Sequence, residues 1–248
     1  MPEVTPSKYL VQAGWDDVPH LDEKTKAELR ASAEPHLLTS RTEGAPSLGA
    51  GAIYPIPLEE ILVDPFKVPD YWHRIYGLDV GWNRTAAIWG ALNRDTDVLY
   101  LYAEHYRGQA EPSAHVQAIK ARGDWIPGVI DPASVGSGQR DGKRLIIEYQ
   151  ELGLNLMMAE NSREAGLKMV WDRIATGRLL VFRSMRNWQA EYRIYRRDTE
   201  GKVIKNNDHA MDATRYLVIS GLILAKTEPP KMMMGHNSMA GSLTKAGY

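Results

Sequence analysis

The sequence contains no cysteine. That excludes a disulfide framework and any zinc site built on thiolates, and it agrees with an intracellular setting. The opening residues, MPEVTPSKYLVQAGWDD, hold no basic segment followed by an apolar one, so no secretory leader is expected. No apolar run approaches the roughly 20 residues that cross a bilayer. The longest, YLVISGLILA at 216–225, is too short and follows a charged helix start, so no membrane association is expected. Net charge is also missing: 30 Lys and Arg stand against 31 Asp and Glu, leaving −1. A protein that only coats DNA is usually more basic. Near-neutrality leaves room for an enzyme acting on nucleic acid, whose acidic metal site offsets basic contacts elsewhere.

What is present is a chain of 248 residues, 44% hydrophobic, enough for one large domain or one domain with extensions. Residues 1–70 read as largely irregular. They hold one short polar helix, LDEKTKAELRASA (21–33), and a Gly- and Pro-rich stretch, EGAPSLGAGAIYPIP (43–57), that reads as linker. From residue 73 the pattern changes. HRIYGLDVGW reads as a strand ending at Asp79, and TAAIWGALN and DVLYLYAEHYR continue as a hairpin across NRDTD. A helix over 113–122 follows, then a short strand, PGVIDPAS, ending at Asp131 and stopped by proline. Helices over 141–153, 161–177 and 184–197 alternate with strands over 154–159 and 178–182, and a last helix starts at Asn207 or Asp208. Three antiparallel strands followed by strands alternating with helices predict an α/β mixed sheet with helices on its faces. The tail from 226 to 248 is expected to be disordered.

The acids are the chemistry. Asp79 and Asp131 each end a short apolar strand, and if those strands are parallel neighbours both carboxylates emerge at one sheet edge, where open α/β sheets bind ligands. Asp208 and Asp212 lie four apart, so they are about 5–6 Å from each other on one helix face. Such a cluster raises its own pKa values unless a cation is present. Oxygen-only ligation suits Mg²⁺ or Mn²⁺, and two such ions form the usual clamp for displacement at phosphorus. Taken singly, the strand-end acids also read as turn formers, and Asp208 and Asp212 as a helix cap and its first-turn companion.

The stretches YGLDVGWNRTAAIWGAL, VIDPAS and KNNDHAMDATRYL resemble the nuclease domain of the large terminase subunit of tailed bacteriophages, with the likeness covering about residues 40–222. That resemblance implies an RNase H-like fold and a metal-dependent endonuclease that cuts concatemeric double-stranded viral DNA during packaging in the infected host's cytoplasm. By the same resemblance, Asp79 matches the first-strand catalytic acid, Asp131 the acid on the fourth core strand, and Asp208 the acid opening the last helix. Asp212 in the same motif stands as an additional or alternative ligand, and His209 as a solvent-facing or hydrogen-bonded residue. Portal protein and small terminase subunit are implied partners. Related readings stay open: a junction resolvase, RNase H or repair nuclease of the same fold, an actin-like ATPase, or a docking module. No G-x-x-x-x-G-K-[ST] loop occurs, so the packaging ATPase is absent and residues 1–70 are expected to be the remnant joining it to a nuclease domain at 71–225.

The stretch RSMRNWQAEYRIYRRDTEGKVIK interleaves basic and aromatic residues. Arg193, Arg196, Arg197, Lys202 and Lys205, with Arg140 and Lys143 in the loop after Asp131, are the expected phosphate contacts. Trp188, Tyr192 and Tyr195 are expected to pack on the sheet. Nothing resembles base readout, so little sequence specificity is expected.

Overall fold

The structure, a computed structural model, describes residues 3–5, 8–9, 14–32, 42, 51–131, 145–198 and 200–229. Glu3–Thr5 pairs antiparallel with Lys8–Tyr9, and a helix α1 spans Glu23–Ser32. The body is a seven-stranded sheet. Its strands are β1 (Leu62–Val63), β2 (His73–Asp79), β3 (Thr85–Asn93), β4 (Val98–Arg107), β5 (Gly128–Ile130), β6 (Leu156–Met158) and β7 (Leu179–Phe182), in the order β1-β7-β4-β3-β2-β5-β6. β2, β3 and β4 are antiparallel; β5 and β6 add in parallel beside β2, and β7 and β1 add in parallel beside β4. This is the mixed sheet the element order predicts.

Helices cover both faces: α2 (Leu58–Ile61), α3 (Pro112–Lys120), α4 (Leu145–Glu151), α5 (Arg163–Ala175), α6 (Arg186–Ile194) and α7 (His209–Tyr216), the last extended by a π-helical turn over Leu217–Gly221. Strand periodicity divides the core. On β2, Ile75 faces the large core cluster under α5, α6 and α7, while Tyr76 and Leu78 face the smaller one under α3 and α4. β3 is buried along nearly its whole length, which is why TAAIWGALN reads as continuously apolar rather than alternating. Gly77 makes the closest approach: a Cβ there would lie 1.9 Å from the carbonyl oxygen of Ala213, so α7 rests on the bare backbone of β2.

The sheet begins before the boundary expected at residue 71. Ile53 N donates to Tyr195 O at 3.1 Å and Arg197 N to Gly51 O at 2.7 Å; Tyr54 and Ile61 are buried, and β1 pairs with β7. The Gly- and Pro-rich look of this stretch reflects tight turns that bring a short strand onto the sheet. At the other end, Lys226 pairs with Arg74 through two backbone hydrogen bonds, and the rest of the expected tail from 230 onward lies outside the described residues. Among the described residues no helix is long and apolar enough to cross a membrane.

Candidate active site

β2 and β5 are adjacent and parallel, with Leu78 opposite Ile130, and Asp131 N donates to Leu78 O at 3.0 Å. Asp79 and Asp131 therefore leave the sheet side by side. The two-residue period decides their direction. Leu78 and Ile130 point to the α3–α4 face, so the next residue on each strand points to the α7 face. α7 supplies Asp208, His209 and Asp212. All four acids line one cleft of about 380 Å³, with Val80, Asn161, Arg163, Lys205, His209, Arg215 and Tyr216.

Asp79, Asp131 and Asp212 each have a side-chain partner. His209 Nδ1 meets Asp79 Oδ2 at 2.8 Å, and the Tyr216 hydroxyl donates to Asp131 Oδ1 at 2.8 Å. Asp212 accepts from Arg163 Nη2 at 3.2 Å on one oxygen and from Arg215 Nε at 3.1 Å on the other. Burial pushes the Asp79 carboxyl up to about 6; the His209 bond opposes this, and the charges of Asp212 and then Asp131 add to it. The bond to Asp79 raises the His209 pKa. Asp208 is also raised, by burial first and then by Asp212. The charges of Asp212 and Asp131 thus act on Asp79, and that of Asp212 acts on Asp208.

Asp208 occupies the N-cap position of α7 but its side chain makes no capping hydrogen bond. That duty falls to Glu191 on α6. Its Oε2 accepts from Ala210 N at 2.6 Å and Met211 N at 3.2 Å, and its Oε1 from the Tyr106 hydroxyl at 2.5 Å. Glu191 is 2% exposed, and burial pushes its carboxyl up to about 7. The capping reading of Asp208 therefore has a competitor that holds the helix and leaves Asp208 facing the cleft. Sequence reasoning passed over Glu191 as one acid in a basic helix. Its signal is position: Trp188, Glu191, Tyr192 and Tyr195 share one face at helical spacing, and all four are buried. The aromatics pack inward as expected, Trp188 Nε1 donating to Thr214 Oγ1 of α7 at 2.9 Å.

Sequence reasoning also passed over Arg163, Arg215 and Tyr216. Arg215 is 1% exposed, its guanidinium lies 4.4 Å from the Tyr216 ring centroid, and Gly166 makes room for its stem, since a Cβ there would lie 2.6 Å from Arg215 Cγ. A charged residue in the middle of an apolar helix was the available sign, because a buried arginine needs a partner.

The expected phosphate contacts divide. Arg193 and Arg196 are exposed and line a second cleft of about 380 Å³ with Ala52, Tyr195 and Asn206, next in sequence to Lys205 of the acidic cleft. Arg197 pairs with Glu164 through two bonds of 2.5 and 3.0 Å, and Lys202 with Glu200 at 2.9 Å. Both belong to a hairpin turn closed by Asp198 N to Lys202 O at 2.8 Å and Ile204 N to Arg196 O at 3.0 Å. Arg140 and Lys143 lie outside the described residues.

Carboxylates at the carboxyl ends of adjacent parallel strands, met by a helix across an antiparallel hairpin sheet, define an RNase H-like nuclease architecture. The description "Terminase RNaseH-like domain" matches residues 76–220, over half the chain. The large terminase subunit of Salmonella phage P22 is 30% identical over 220 residues, which cover 85% of this chain and 44% of that subunit. The chain thus spans less than half the length of that relative. The structure of the P22 large terminase nuclease domain is 30% identical with a TM-score of 0.67, covering 73% of this chain and 96% of that one. The large terminase nuclease from thermophilic phage G20c, solved with bound magnesium, shares the fold at 17% identity and a TM-score of 0.51, over 69% of this chain and 98% of its own. The chain belongs to the terminase RNaseH-like domain family, as a nuclease domain of a tailed-bacteriophage large terminase subunit. By class it is an endonuclease.

Among the described residues no three His, Asp or Glu side chains are grouped closely enough to hold a metal ion. The donor chemistry nevertheless suits a hard divalent cation. A buried carboxylate raised to about 6, beside two more carboxylates and no sulfur donor, is a site whose charge a cation relieves.

Proposed function

We propose that this chain is the part of a large terminase subunit that cuts double-stranded viral DNA, hydrolysing phosphodiester bonds during genome packaging in the infected host's cytoplasm. The observation that carries the reading is the parallel β2–β5 pairing, which aligns Asp79 and Asp131 under α7. Asp79, Asp131, Asp208 and Asp212 form the carboxylate set. These carboxylates would hold two Mg²⁺ or Mn²⁺ ions, which would supply Lewis-acid activation of the phosphate and of the attacking water; magnesium in the G20c nuclease supports that choice. The protein's own contribution is aim. His209 orients Asp79, Tyr216 orients Asp131, the two arginines orient Asp212, and Glu191 fixes the start of the helix that carries Asp208, His209 and Asp212.

Arg193, Arg196 and Lys205 form a basic margin beside the acidic cleft, and the hairpin bearing Arg197 and Lys202 extends it. Contacts of this kind track the backbone without reading sequence. Portal protein and small terminase subunit are the partners expected of the longer protein.

Plasmid cleavage tests the reading, with Mg²⁺, with Mn²⁺ and with chelator, beside Asp79→Asn and Asp131→Asn. Metal-dependent nicking and linearisation by the natural chain, absent in both folded variants, is the expected result. Cleavage that survives chelator or either substitution would remove the carboxylate site from the reaction.

A further inference from the structure

Asp212 is neutralised twice. Arg215, 1% exposed at its side chain, holds Oδ1 from inside the core, and Arg163, 28% exposed at its side chain, holds Oδ2 from the cleft rim. One buried guanidinium suffices to balance one carboxylate, so Arg163 is a second cation on Asp212 at the mouth of a cleft whose charged lining also includes three further acids, His209, Lys205 and Arg215. Its backbone is fixed. Arg163 opens α5, Gly166 N donates to Ser162 O at 2.9 Å, and the next residue, Glu164, is clamped by Arg197 of the hairpin. Its long side chain is the adaptable part.

We propose that Arg163 is a phosphate-contacting residue of this nuclease, exchanging Asp212 for a phosphate of the strand that enters the cleft. The inference rests on the DNA-cutting reading above. A guanidinium presents paired N–H donors that match phosphate oxygens as well as they match a carboxylate, so the exchange keeps its hydrogen bonds. Asp212 keeps Arg215 throughout and is never left as an unpaired buried charge, which is the usual obstacle to releasing a partner from an ion pair. Arg193 and Arg196 line the neighbouring cleft and contact the flanking backbone. Among the described residues, Arg163 alone of the arginines is both in the acid cleft and partly open to solvent, so its contact is to the cleaved strand.

The test is the salt dependence of duplex binding, followed by fluorescence anisotropy in chelator so that no cleavage occurs. A lost phosphate contact lowers the magnitude of the log–log salt slope by about 0.9. Arg163→Gln is expected to show that drop, Arg163→Lys to keep the original slope, and Arg163→Met, which retains the aliphatic stem, to repeat the Gln result should Gln fail to fold. An orienting role for Asp212 alone changes cleavage but leaves the slope where it was. An unchanged slope in folded Gln or Met variants overturns the inference while leaving the nuclease reading intact. Absence of duplex binding by the natural chain at low salt overturns both.

Discussion

Replacing Glu191 with alanine removes the acceptor for three donors at once. Ala210 N and Met211 N lose their cap, and the Tyr106 hydroxyl is left facing the space of the deleted carboxylate. A lost N-cap costs about 0.5–2 kcal/mol. An unpaired hydroxyl that is only partly buried, as Tyr106 is, adds up to about 3 kcal/mol. The sum is a destabilisation of about 0.5–5 kcal/mol, centred on the helix that carries Asp208, His209 and Asp212, so cleavage falls further than stability predicts. Glu191→Gln is the informative companion. Burial raises the Glu191 carboxyl from 4.5 to about 7, so a neutral amide resembles the group as it stands near neutrality. Its carbonyl oxygen still accepts from the two backbone donors, and its amide faces an oxygen that also accepts. Glu191→Gln is expected within about 1 kcal/mol of the natural chain below about pH 5, where the carboxyl is neutral in the folded chain. The sign of the pH dependence follows. The unfolded chain ionises Glu191 first, so the natural protein loses stability as pH rises from about 4.5 to 7, and the Gln variant gains relative to it over that window. Urea denaturation at pH 5, 7 and 8, paired with plasmid cleavage, reads all of this. An alanine variant as stable as the natural chain, or a Gln variant as damaged as the alanine one, would refute the capping role.

Asp79→Asn should raise the melting temperature of metal-free protein above pH 6, by at most about 3 kcal/mol in stability, because the folded-state pKa of about 6 lies above the ordinary 3.8. The gain should vanish below pH 4, where both states hold the proton, and a pH-independent gain in calorimetry would contradict it. Tyr216→Phe removes the bond to Asp131 without a void, so metal-dependent cleavage should fall about 10–100-fold with little change in the urea midpoint; unaltered cleavage would free Asp131 from that dependence. Gly77→Ala places a methyl 1.9 Å from the Ala213 carbonyl, and the clash is with backbone. It should cost about 3 kcal/mol or more and is checked by soluble yield and melting.

Much of the site was legible because strands and helices announce their faces. GLDVGW and VIDPAS end short apolar runs on an acid, and a period of two settles which face each acid takes once the strands are paired. DHAMDATRY gives its two acids a common helix face by spacing alone. The missing cysteines likewise left oxygen and nitrogen donors as the available ones. The pairing of β2 with β5 is different, because it joins residues some fifty apart and depends on the crossover through α3. So do the partners of the acids. Arg163 and Asp212, Tyr106 and Glu191, and Glu191 and Ala210 are separated by 49, 85 and 19 residues, and no local pattern links them. The stretch 43–57 reads as linker for the same reason, although its described part, 51–57, packs on the body. Its Gly and Pro content records tight turns, while its place on the body is set by Tyr195 and Arg197, more than a hundred residues later. Local sequence determined which residues carry charge and which face they take. Only the tertiary structure decided which of those charges meet, because a buried charge is tolerable only where the folded chain brings it a partner.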